Sequence, residues 1–321
     1  KTLIAMLAML SYLSKNKGKV VYLSPLRALA AEKFTEFKKL EKISIGNKIK
    51  TSISTGDFEH IEKNLENSNV LILTNEKMDS IIRHGAEWIE EIGLVISDEV
   101  HLIGDEGRGP TLEMILTHLK LLDTKPQIVG LSATITNSDE IAKWLDCKLV
   151  KNDWRPVPLS EGVCDGGQVT MSDGKTFEVK PSLRGIPIDL GVQCVQEGGQ
   201  SLVFAATRVS SKSLATKASD IISQFLQKKE LSALEKTSKQ ILAENEHTEI
   251  VKTLATLVKK GVAFHHAGLN QKCREIVEKE FRKGTIKLLS STPTLAAGVN
   301  LPARRVVISN INRYNAKIGA N

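Results

Sequence analysis

Two adjacent carboxylates end an apolar segment in the stretch GLVISDEVHLIG, residues 93–104. Residues 94–97, three apolar residues and a serine, predict a buried strand, which leads directly into Asp98 and Glu99, with His101 two positions later. An isolated buried carboxylate costs several kcal/mol, so we expect a cation or a water molecule as partner. One acid that holds Mg²⁺ beside one that polarises a water molecule fits nucleotide hydrolysis. Helix N-capping by Asp98 alone is the structural alternative.

The first two residues add a second chemical signal. Lys1 and Thr2 lead directly into a helical pattern, which is how a G-x-x-x-x-G-K-[ST] phosphate-binding loop ends. In such a loop the lysine contacts the β- and γ-phosphates, the hydroxyl binds Mg²⁺, and the helix dipole points toward the anion. The glycines of the motif are absent from the sequence, so we expect that the chain begins inside the motif.

Short β-branched segments alternate with amphipathic helical segments in the first half of the chain. The predicted strands lie at residues 19–24, 49–54, 69–74, 93–97 and 126–132. The helical segments between them include residues 26–40, 58–65 and 111–122. Continuous apolar strands separated by helices are typical of a parallel sheet with both faces covered, in which ligands bind beyond the carboxyl ends of the strands.

The pattern breaks at residues 152–181, which are rich in Pro, Gly and alternating polar residues and predict a linker with a hairpin. A second α/β set follows, with strands predicted at 200–206, 261–266, 286–291 and 304–309 around a charged helical stretch at 212–260. We therefore expect two tandem domains with a cleft between them. The expected bounds are 1–155 for the first domain, 156–190 for the linker and hairpin, and 191–321 for the second domain.

The composition limits the functional classes. Of the 321 residues 41% are hydrophobic, which excludes overall disorder, and 44 Lys and Arg against 37 Asp and Glu give a formal charge of +7 that favours a polyanionic partner. The four cysteines form no C-x-x-C pair, which favours a reduced cytoplasmic chain over a disulfide framework or a zinc site. No apolar run approaches the roughly 20 residues that span a bilayer, and the opening segment predicts a buried helix rather than a cleaved signal.

Nine short motifs follow one another along nearly the whole chain. In order they read KT, SPLRALAAEK, STGD, TNEKMDS, SDEVHLIGDEGRGPTLE, GLSATITN, LVFAATR, AFHHAGL and STPTLAAGVNLPARRV. In these motifs the chain resembles the superfamily two helicases of the Ski-two-like branch, and within it the archaeal DNA repair helicases related to the helicase part of polymerase theta. The resemblance implies two RecA-like domains of the P-loop NTPase class that share one ATP.

The resemblance also implies roles for individual residues. The expected ATP contacts are Lys1, Thr2, Ser132, Thr134, Gly298 and Asn300. Asp98 and Thr2 are expected to hold Mg²⁺, and Glu99 is expected to be the catalytic base. Ser132 and Thr134, helped by His101, would couple hydrolysis to domain movement.

A further set of residues predicts contacts with a sugar-phosphate backbone. Ser24 is predicted as an N-cap before Pro25 in a first helical turn, with Arg27 nearby, and ordinary capping is the alternative. Segments that supply hydroxyls and basic groups follow other strands, and their predicted contact residues are Thr55, Gly56, Asp57, Thr74, Lys77, Thr207, Arg208 and Thr292. Such groups bind phosphates and make no base-specific contacts, so we expect sequence-independent binding of single-stranded and forked DNA.

Two further features have competing interpretations. His265 and His266 could indicate a metal, but neighbouring strand residues point to opposite faces and no third ligand is near in sequence, which favours a structural or DNA-proximal role. The tryptophans Trp88, Trp144 and Trp154 are predicted to pack in cores rather than to stack on bases.

The leading functional hypothesis is an ATP-dependent DNA helicase that moves 3′ to 5′ on single strands and works at the nucleoid in DNA repair. The sequence lacks the adenine-reading elements, the Q-x-x-G-R-x-G-R segment and the winged-helix and ratchet domains of the family. We therefore expect a fragment that hydrolyses ATP feebly or not at all. An RNA helicase of the same branch and a catalytically silent nucleic-acid-binding module are the alternatives.

Overall fold

The chain divides into two compact units, Lys1–Trp154 and Arg155–Asn321. The structure is a computed structural model, and it describes residues 1–43, 48–56, 62–132, 135–152, 154–155, 157–179, 182, 184–295 and 301–310. Each unit is built around its own parallel sheet, as the alternating strand and helix pattern predicts. The α/β class with two parallel sheets is thereby confirmed.

The sheet of unit 1 consists of short, largely apolar strands. They are β1 Lys19–Ser24, β2 Thr51–Ser54, β3 Val70–Thr74, β4 Ile92–Ser97 and β5 Gln127–Gly130. Their order across the sheet is β2-β3-β1-β4-β5, and every neighbouring pair is parallel. The central strands β1, β3 and β4 are buried on both faces, which explains their continuous apolar sequences.

Helices cover both faces of this sheet. They are α1 Thr2–Leu13, α2 Arg27–Phe37, α3 Glu62–Glu66, α4 Asn75–His84, α5 Gly109–Lys120 and α6 Ser138–Leu145, with 3₁₀ helices at Lys38–Lys42, Glu87–Glu91 and Val100–Gly104. Successive strand residues face opposite sides, so Val20 and Tyr22 belong to one hydrophobic core and Val21 and Leu23 to the other.

Unit 2 repeats the architecture on a smaller sheet. Its strands are β9 Ser201–Phe204, β10 Val262–His265, β11 Leu288–Ser291 and β12 Arg305–Ile308, parallel in the order β10-β11-β9-β12. The helices are α7 Ile186–Gln196, α8 Arg208–Ile222, α9 Lys228–Ala243, α10 Glu249–Lys259 and α11 Gln271–Arg282. The charged stretch predicted as helical at 212–260 is therefore three helices in succession.

A small antiparallel sheet precedes the parallel sheet of unit 2. Its strands are β6 Gly162–Asp165, β7 Gln168–Met171 and β8 Thr176–Glu178, in the order β6-β7-β8. The predicted hairpin is thus extended by a third strand. In the described part of the chain no helix combines the length and apolar character needed to cross a membrane.

Three local predictions are wrong. Trp154 is 75% exposed rather than packed in a core, because it lies between α6 and β6 outside the regular elements. Helix α1 is buried only along one side, since Leu3 is 67% exposed. Ser24 is the last residue of β1 and not an N-cap, because Leu26 is still extended and helix α2 begins only at Arg27.

Gly109, the first residue of α5, lies against the 3₁₀ helix that follows the acidic pair. A Cβ at this position would lie 2.2 Å from the carbonyl oxygen of Ile103, whereas a Cβ at Gly104 would meet nothing within 4 Å. We therefore predict that Gly109→Ala lowers the free energy of unfolding by about 2 kcal/mol, because backbone atoms must shift. Gly104→Ala, the control, should change it by less than about 1 kcal/mol.

Urea unfolding of both variants, followed by circular dichroism, measures this difference. Equal urea midpoints for Gly109→Ala and Gly104→Ala would contradict the prediction. They would show that the backbone near Ile103 accommodates a Cβ at position 109 without loss of stability.

Candidate functional site: the carboxyl edge of each sheet

The predicted site residues of unit 1 meet at the carboxyl edge of its sheet. In the parallel register Leu23 of β1 pairs with Ser97 of β4, and Ser97 pairs with Gly130 of β5. Asp98 and Glu99 therefore follow one strand end, and Ser132 follows the next. The amide of Asp98 donates to the carbonyl of Leu23 at 3.0 Å, which fixes the start of the acidic segment against β1.

Asp98 is buried and held by two hydrogen bonds. The hydroxyl of Tyr22 donates to Asp98 Oδ2 at 2.6 Å, and the amide of Glu99 donates to Asp98 Oδ1 at 3.0 Å. Burial, followed by the charge of Asp98, raises the pKa of the Tyr22 hydroxyl far above its ordinary value. Tyr22 thus remains a proton donor to this carboxylate. Because the carboxylate bonds the next amide and caps no helix, the N-capping interpretation of Asp98 is wrong.

Glu99 has a left-handed backbone, with φ 49° and ψ 46°. This conformation costs a residue with a side chain about 1 kcal/mol, and such outliers cluster at functional sites. Its carboxylate accepts hydrogen bonds from Lys1 Nζ at 3.0 Å to Oε1 and 2.8 Å to Oε2. His101 Nδ1 lies 3.4 Å from Oε2 and 3.3 Å from Ser132 Oγ. Lys1, Glu99, His101 and Ser132 therefore form one connected polar chain.

Thr2, the other residue of the predicted phosphate motif, contacts the last residue of the SPLRALAAEK motif, for which the sequence predicts no role. Lys33 Nζ donates to Thr2 Oγ1 at 2.8 Å and lies 3.1 Å from Glu36 Oε2 and 3.5 Å from Glu32 Oε1. Lys33 is only 8% exposed, so a buried ammonium stands directly beside the hydroxyl that is predicted to bind Mg²⁺.

The predicted nucleic-acid contacts of unit 1 lie on the other side of β1. Ser24 pairs with Thr74 at the ends of β1 and β3, and the neighbouring strand β2 ends at Ser54, directly before Thr55 and Gly56. Thr74 caps α4 through the amide of Lys77 at 3.3 Å, and the Ser24 hydroxyl donates to the carbonyl of Leu26 at 3.2 Å. The side chain of Arg27 is exposed. Strand order thus separates the backbone-binding candidates from the acidic pair.

In unit 2 the predicted contacts again follow neighbouring strands. Thr207 caps α8, since its hydroxyl accepts from the amide of Ser210 at 3.0 Å. The next residue, Arg208, is exposed and lies beside the segment of His266 and Gly268. Burial first, and then the charge of Arg208, lowers the pKa of His266.

His265 and His266 have separate environments. His265 Nε2 lies 3.0 Å from Glu278 Oε1, while His266 stacks on Phe264 and accepts a hydrogen bond from the amide of Gly268 at 3.1 Å. Thr292, which follows β11, donates its amide to the carbonyl of His265 at 3.2 Å. Within the described ranges no group of three metal-binding side chains occurs. The structural or DNA-proximal role of the two histidines stays a prediction.

Four of the predicted site residues lie outside the described residues: Asp57, Thr134, Gly298 and Asn300. Their roles stay predictions. Two residues that the sequence interpretation missed are Tyr22 and Lys33. Tyr22 is the one polar aromatic side chain of β1, and a buried hydroxyl needs a partner, which is the only signal the sequence offers for it.

Family models match two parts of the chain. Residues 1–141 match the model of the DEAD/DEAH box helicase family, and residues 224–316 match that of the helicase conserved C-terminal domain. The chain is also similar throughout to proteins named ATP-dependent DNA helicase Hel308. It is 43% identical to that of Methanocella arvoryzae over 321 residues, all of this chain and 43% of the relative.

The chain belongs to the Ski-two-like branch of the superfamily two helicases. A second relative, from Pyrococcus horikoshii, is 44% identical over 98% of this chain and 42% of its own length. A third, from Caldivirga maquilingensis, is 42% identical over 99% of the chain and 42% of its own length. This member of the family thus spans less than half the length of the curated relatives it matches.

The hydrogen bond from Tyr22 to Asp98 makes a prediction about alkaline stability. In the unfolded chain the Tyr22 hydroxyl ionises near its ordinary pKa of 10.0, whereas the raised pKa keeps it protonated in the folded chain. The folded state then binds one more proton, so this stabilisation is complete below pH 10 and declines above it, by at most about 1.4 kcal/mol per pH unit. Tyr22→Phe should therefore be less stable at pH 8 but flatten the decline above pH 10.

Urea midpoints of the wild type and Tyr22→Phe between pH 8 and pH 11.5 measure this effect. Tyr12→Phe is the control, because only burial raises the pKa of Tyr12, and it should flatten the decline less. Parallel curves for the wild type and Tyr22→Phe would contradict the assignment of the raised pKa to Tyr22.

Proposed function

We propose that this chain forms the ATP-hydrolysing, strand-gripping motor of a DNA helicase. The observation that carries the proposal is the pair of contacts from Lys1 Nζ to the Glu99 carboxylate, at 2.8 and 3.0 Å, next to the buried Asp98. The residues proposed as phosphate-binding lysine, cation-binding acid and base thus lie next to one another. The relatives that share the whole chain are named ATP-dependent DNA helicases, which supports the same activity here.

In the proposed reaction Lys1 binds the phosphates and Glu99 acts as the base. Lys1 leaves Glu99 and contacts the β- and γ-phosphates when the triphosphate binds. Glu99 is then released to orient and deprotonate the attacking water, while its contact with His101 links the reaction to Ser132. The left-handed backbone holds the Glu99 carboxylate at this place before the substrate arrives.

The residues present also fit a magnesium ion. Each oxygen of Asp98 accepts one hydrogen bond, and a carboxylate has about four acceptor positions, so Asp98 retains capacity for a hard cation. Asp98 and the Thr2 hydroxyl would hold the ion. Lys33 would then no longer donate its hydrogen bond to the Thr2 hydroxyl. When bound, Mg²⁺ supplies charge neutralisation on the triphosphate.

The proposed substrate is single-stranded or forked DNA, gripped through its backbone. The partly exposed hydroxyl of Thr55 and the exposed hydroxyl of Thr207, which lie just beyond the ends of β2 and β9, support this. Exposed Arg27 and Arg208 add positive charge at the corresponding edges. We propose that the two units act as the two motor domains, moving 3′ to 5′ along the strand, and that the protein works in the cytoplasm at the nucleoid.

Glu99→Gln tests the catalytic assignment. The amide preserves size and hydrogen bonding but cannot accept a proton, so we expect ATP binding to be kept and hydrolysis to fall at least about 100-fold. Binding of a fluorescent ATP analogue is measured on the chain itself, and single-strand-stimulated hydrolysis on the chain extended to the length of its relatives. Glu113→Gln, on the exposed side of α5, is the control and should leave both unchanged.

Hydrolysis at the wild-type rate in Glu99→Gln would remove Glu99 as the base. Lys1→Ala should abolish binding of the ATP analogue. Retained binding would contradict the proposed contact of Lys1 with the phosphates.

Arg208→Ala tests the grip on the strand. If Arg208 neutralises one phosphate, its removal should weaken binding of a fluorescent 20-nucleotide DNA equally for different sequences and reduce the salt slope by about 0.7. Arg83→Ala is the control, because Arg83 is exposed on α4 and paired with Asp79. Fluorescence anisotropy at several salt concentrations gives both quantities.

The same titrations separate the alternatives. Tighter binding of RNA than of DNA of equal sequence, together with stronger stimulation of hydrolysis by RNA, would indicate an RNA helicase of the same branch. Strand binding without any ATP binding would indicate a silent nucleic-acid-binding module.

A further inference from the structure

We infer a second nucleic-acid-binding surface on unit 1, at the edge of the sheet opposite the candidate ATP site. It is an open groove of about 540 Å³ that we call the lysine groove. Its lining residues are Phe34, Thr35, Lys38, Lys39, Glu41, Lys42 and Lys48. This surface goes beyond the proposed function, because none of the helicase motifs supplies its lysines.

Chain topology places the lysine groove at the amino edge of the sheet. Helix α2 starts beyond the carboxyl end of β1 and runs back, so the 3₁₀ helix Lys38–Lys42 lies where β2 begins. A hydrogen bond fixes this position, since the amide of Thr51, the first residue of β2, donates to Glu41 Oε1 at 2.9 Å. A strand of six residues such as β1 spans about 20 Å, which is the approximate distance between the two edges.

The backbone on the far side of the groove is also fixed. Asn69 Nδ2 donates to the carbonyl of Lys48 at 3.2 Å, and the amide of Lys50 donates to Asn69 Oδ1 at 2.8 Å. On the near side the ammonium of Lys38 lies 5.2 Å from the centre of the Phe34 ring, a cation–π distance. The lysines are therefore presented from an ordered surface.

The charge of the groove indicates a polyanion. Its four lysines are all exposed, and Glu41 is the one acidic residue among the described lining residues, which leaves these with a net charge of +3, four minus one. Lysine binds phosphate as a point charge without needing a fixed geometry, which suits a flexible sugar-phosphate backbone.

A nucleic acid fits this surface better than an acidic protein. Protein interfaces are depleted in lysine and centre on buried apolar or aromatic anchors. The lysine groove has the opposite character, since Phe34 is the one large apolar side chain in the described part of its lining and is already half-buried. The inference rests on the proposed function only in that the same strand would reach both edges of unit 1.

A set of lysine substitutions tests the inference on the chain itself. We expect Lys38→Gln, Lys39→Gln, Lys42→Gln and Lys48→Gln, combined, to weaken binding of a fluorescent 40-nucleotide poly(dT) at least about tenfold at low salt. The salt slope should fall by up to about 3, because each lost phosphate contact on a single strand lowers it by about 0.7. Binding of the fluorescent ATP analogue should not change, since these lysines lie at the other edge.

The matched control removes the same charge elsewhere. It combines Lys217→Gln, Lys228→Gln, Lys229→Gln and Lys236→Gln, four exposed lysines of unit 2. Equal losses in the two combined variants would show an effect of net charge alone and overturn the inference, as would no loss in the groove variant. A groove variant that loses poly-glutamate binding but retains poly(dT) binding would assign the surface to an acidic protein and likewise overturn it.

Lysine acetylation read by mass spectrometry gives a measurement that does not depend on the folding of variants. Bound poly(dT) should protect Lys38, Lys39, Lys42 and Lys48 from acetic anhydride, and unprotected groove lysines would refute the inference.

The outcomes that contradict the lysine groove differ from those that contradict the proposed function. Loss of poly(dT) binding on Arg27→Ala and Arg208→Ala with an unaffected groove variant overturns the groove alone, whereas a wild type without poly(dT) binding overturns both.

Discussion

The parallel register of the five-stranded sheet is the constraint on which the candidate site depends. Because β1 pairs with both β3 and β4 in the same direction, residues that lie more than 70 positions apart, such as Ser24 and Asp98, end at one edge. Apolar residues on both faces of the central strands stabilise this pairing, and a one-residue slip would exchange the two cores. The hydrophobic burial of the strands therefore sets the positions of the polar residues at this edge.

Strand order then divides the carboxyl edge into two chemical regions. Asp98 and Ser132 follow β4 and β5 on one side of β1, while Ser54 and Thr74 end β2 and β3 on the other. Tyr22, on β1 itself, directs its hydroxyl toward Asp98 and so belongs to the acidic region. Burying a carboxylate is unfavourable unless donors compensate it, and here the tyrosine hydroxyl and the amide of Glu99 do so.

The sequence predicts the strands well, because strands buried on both faces have continuous β-branched runs that helices of this length lack. Predicted and observed bounds differ by at most two residues at either end, as where 126–132 becomes Gln127–Gly130, and those of β1 are identical. The N-cap prediction for Ser24 is wrong because proline favours an extended residue before it, so the strand continues to that point. The partners Tyr22 and Lys33 could not be predicted, since their importance comes from contacts with Asp98 and Thr2 that lie 76 and 31 residues away.

In the proposed motor the ion pair between Lys1 and Glu99 keeps Glu99 inactive while no substrate is bound. The two groups attract each other at 2.8 Å, so in the proposed reaction a triphosphate must offer Lys1 a stronger anion before the carboxylate is released. Both side chains are partly exposed, which weakens the pair and keeps this exchange easy. A fully buried pair would resist exchange, and an unpaired Glu99 would leave the left-handed backbone without the contacts that hold it. Intermediate burial therefore fits a base that acts only after its partner has bound phosphate.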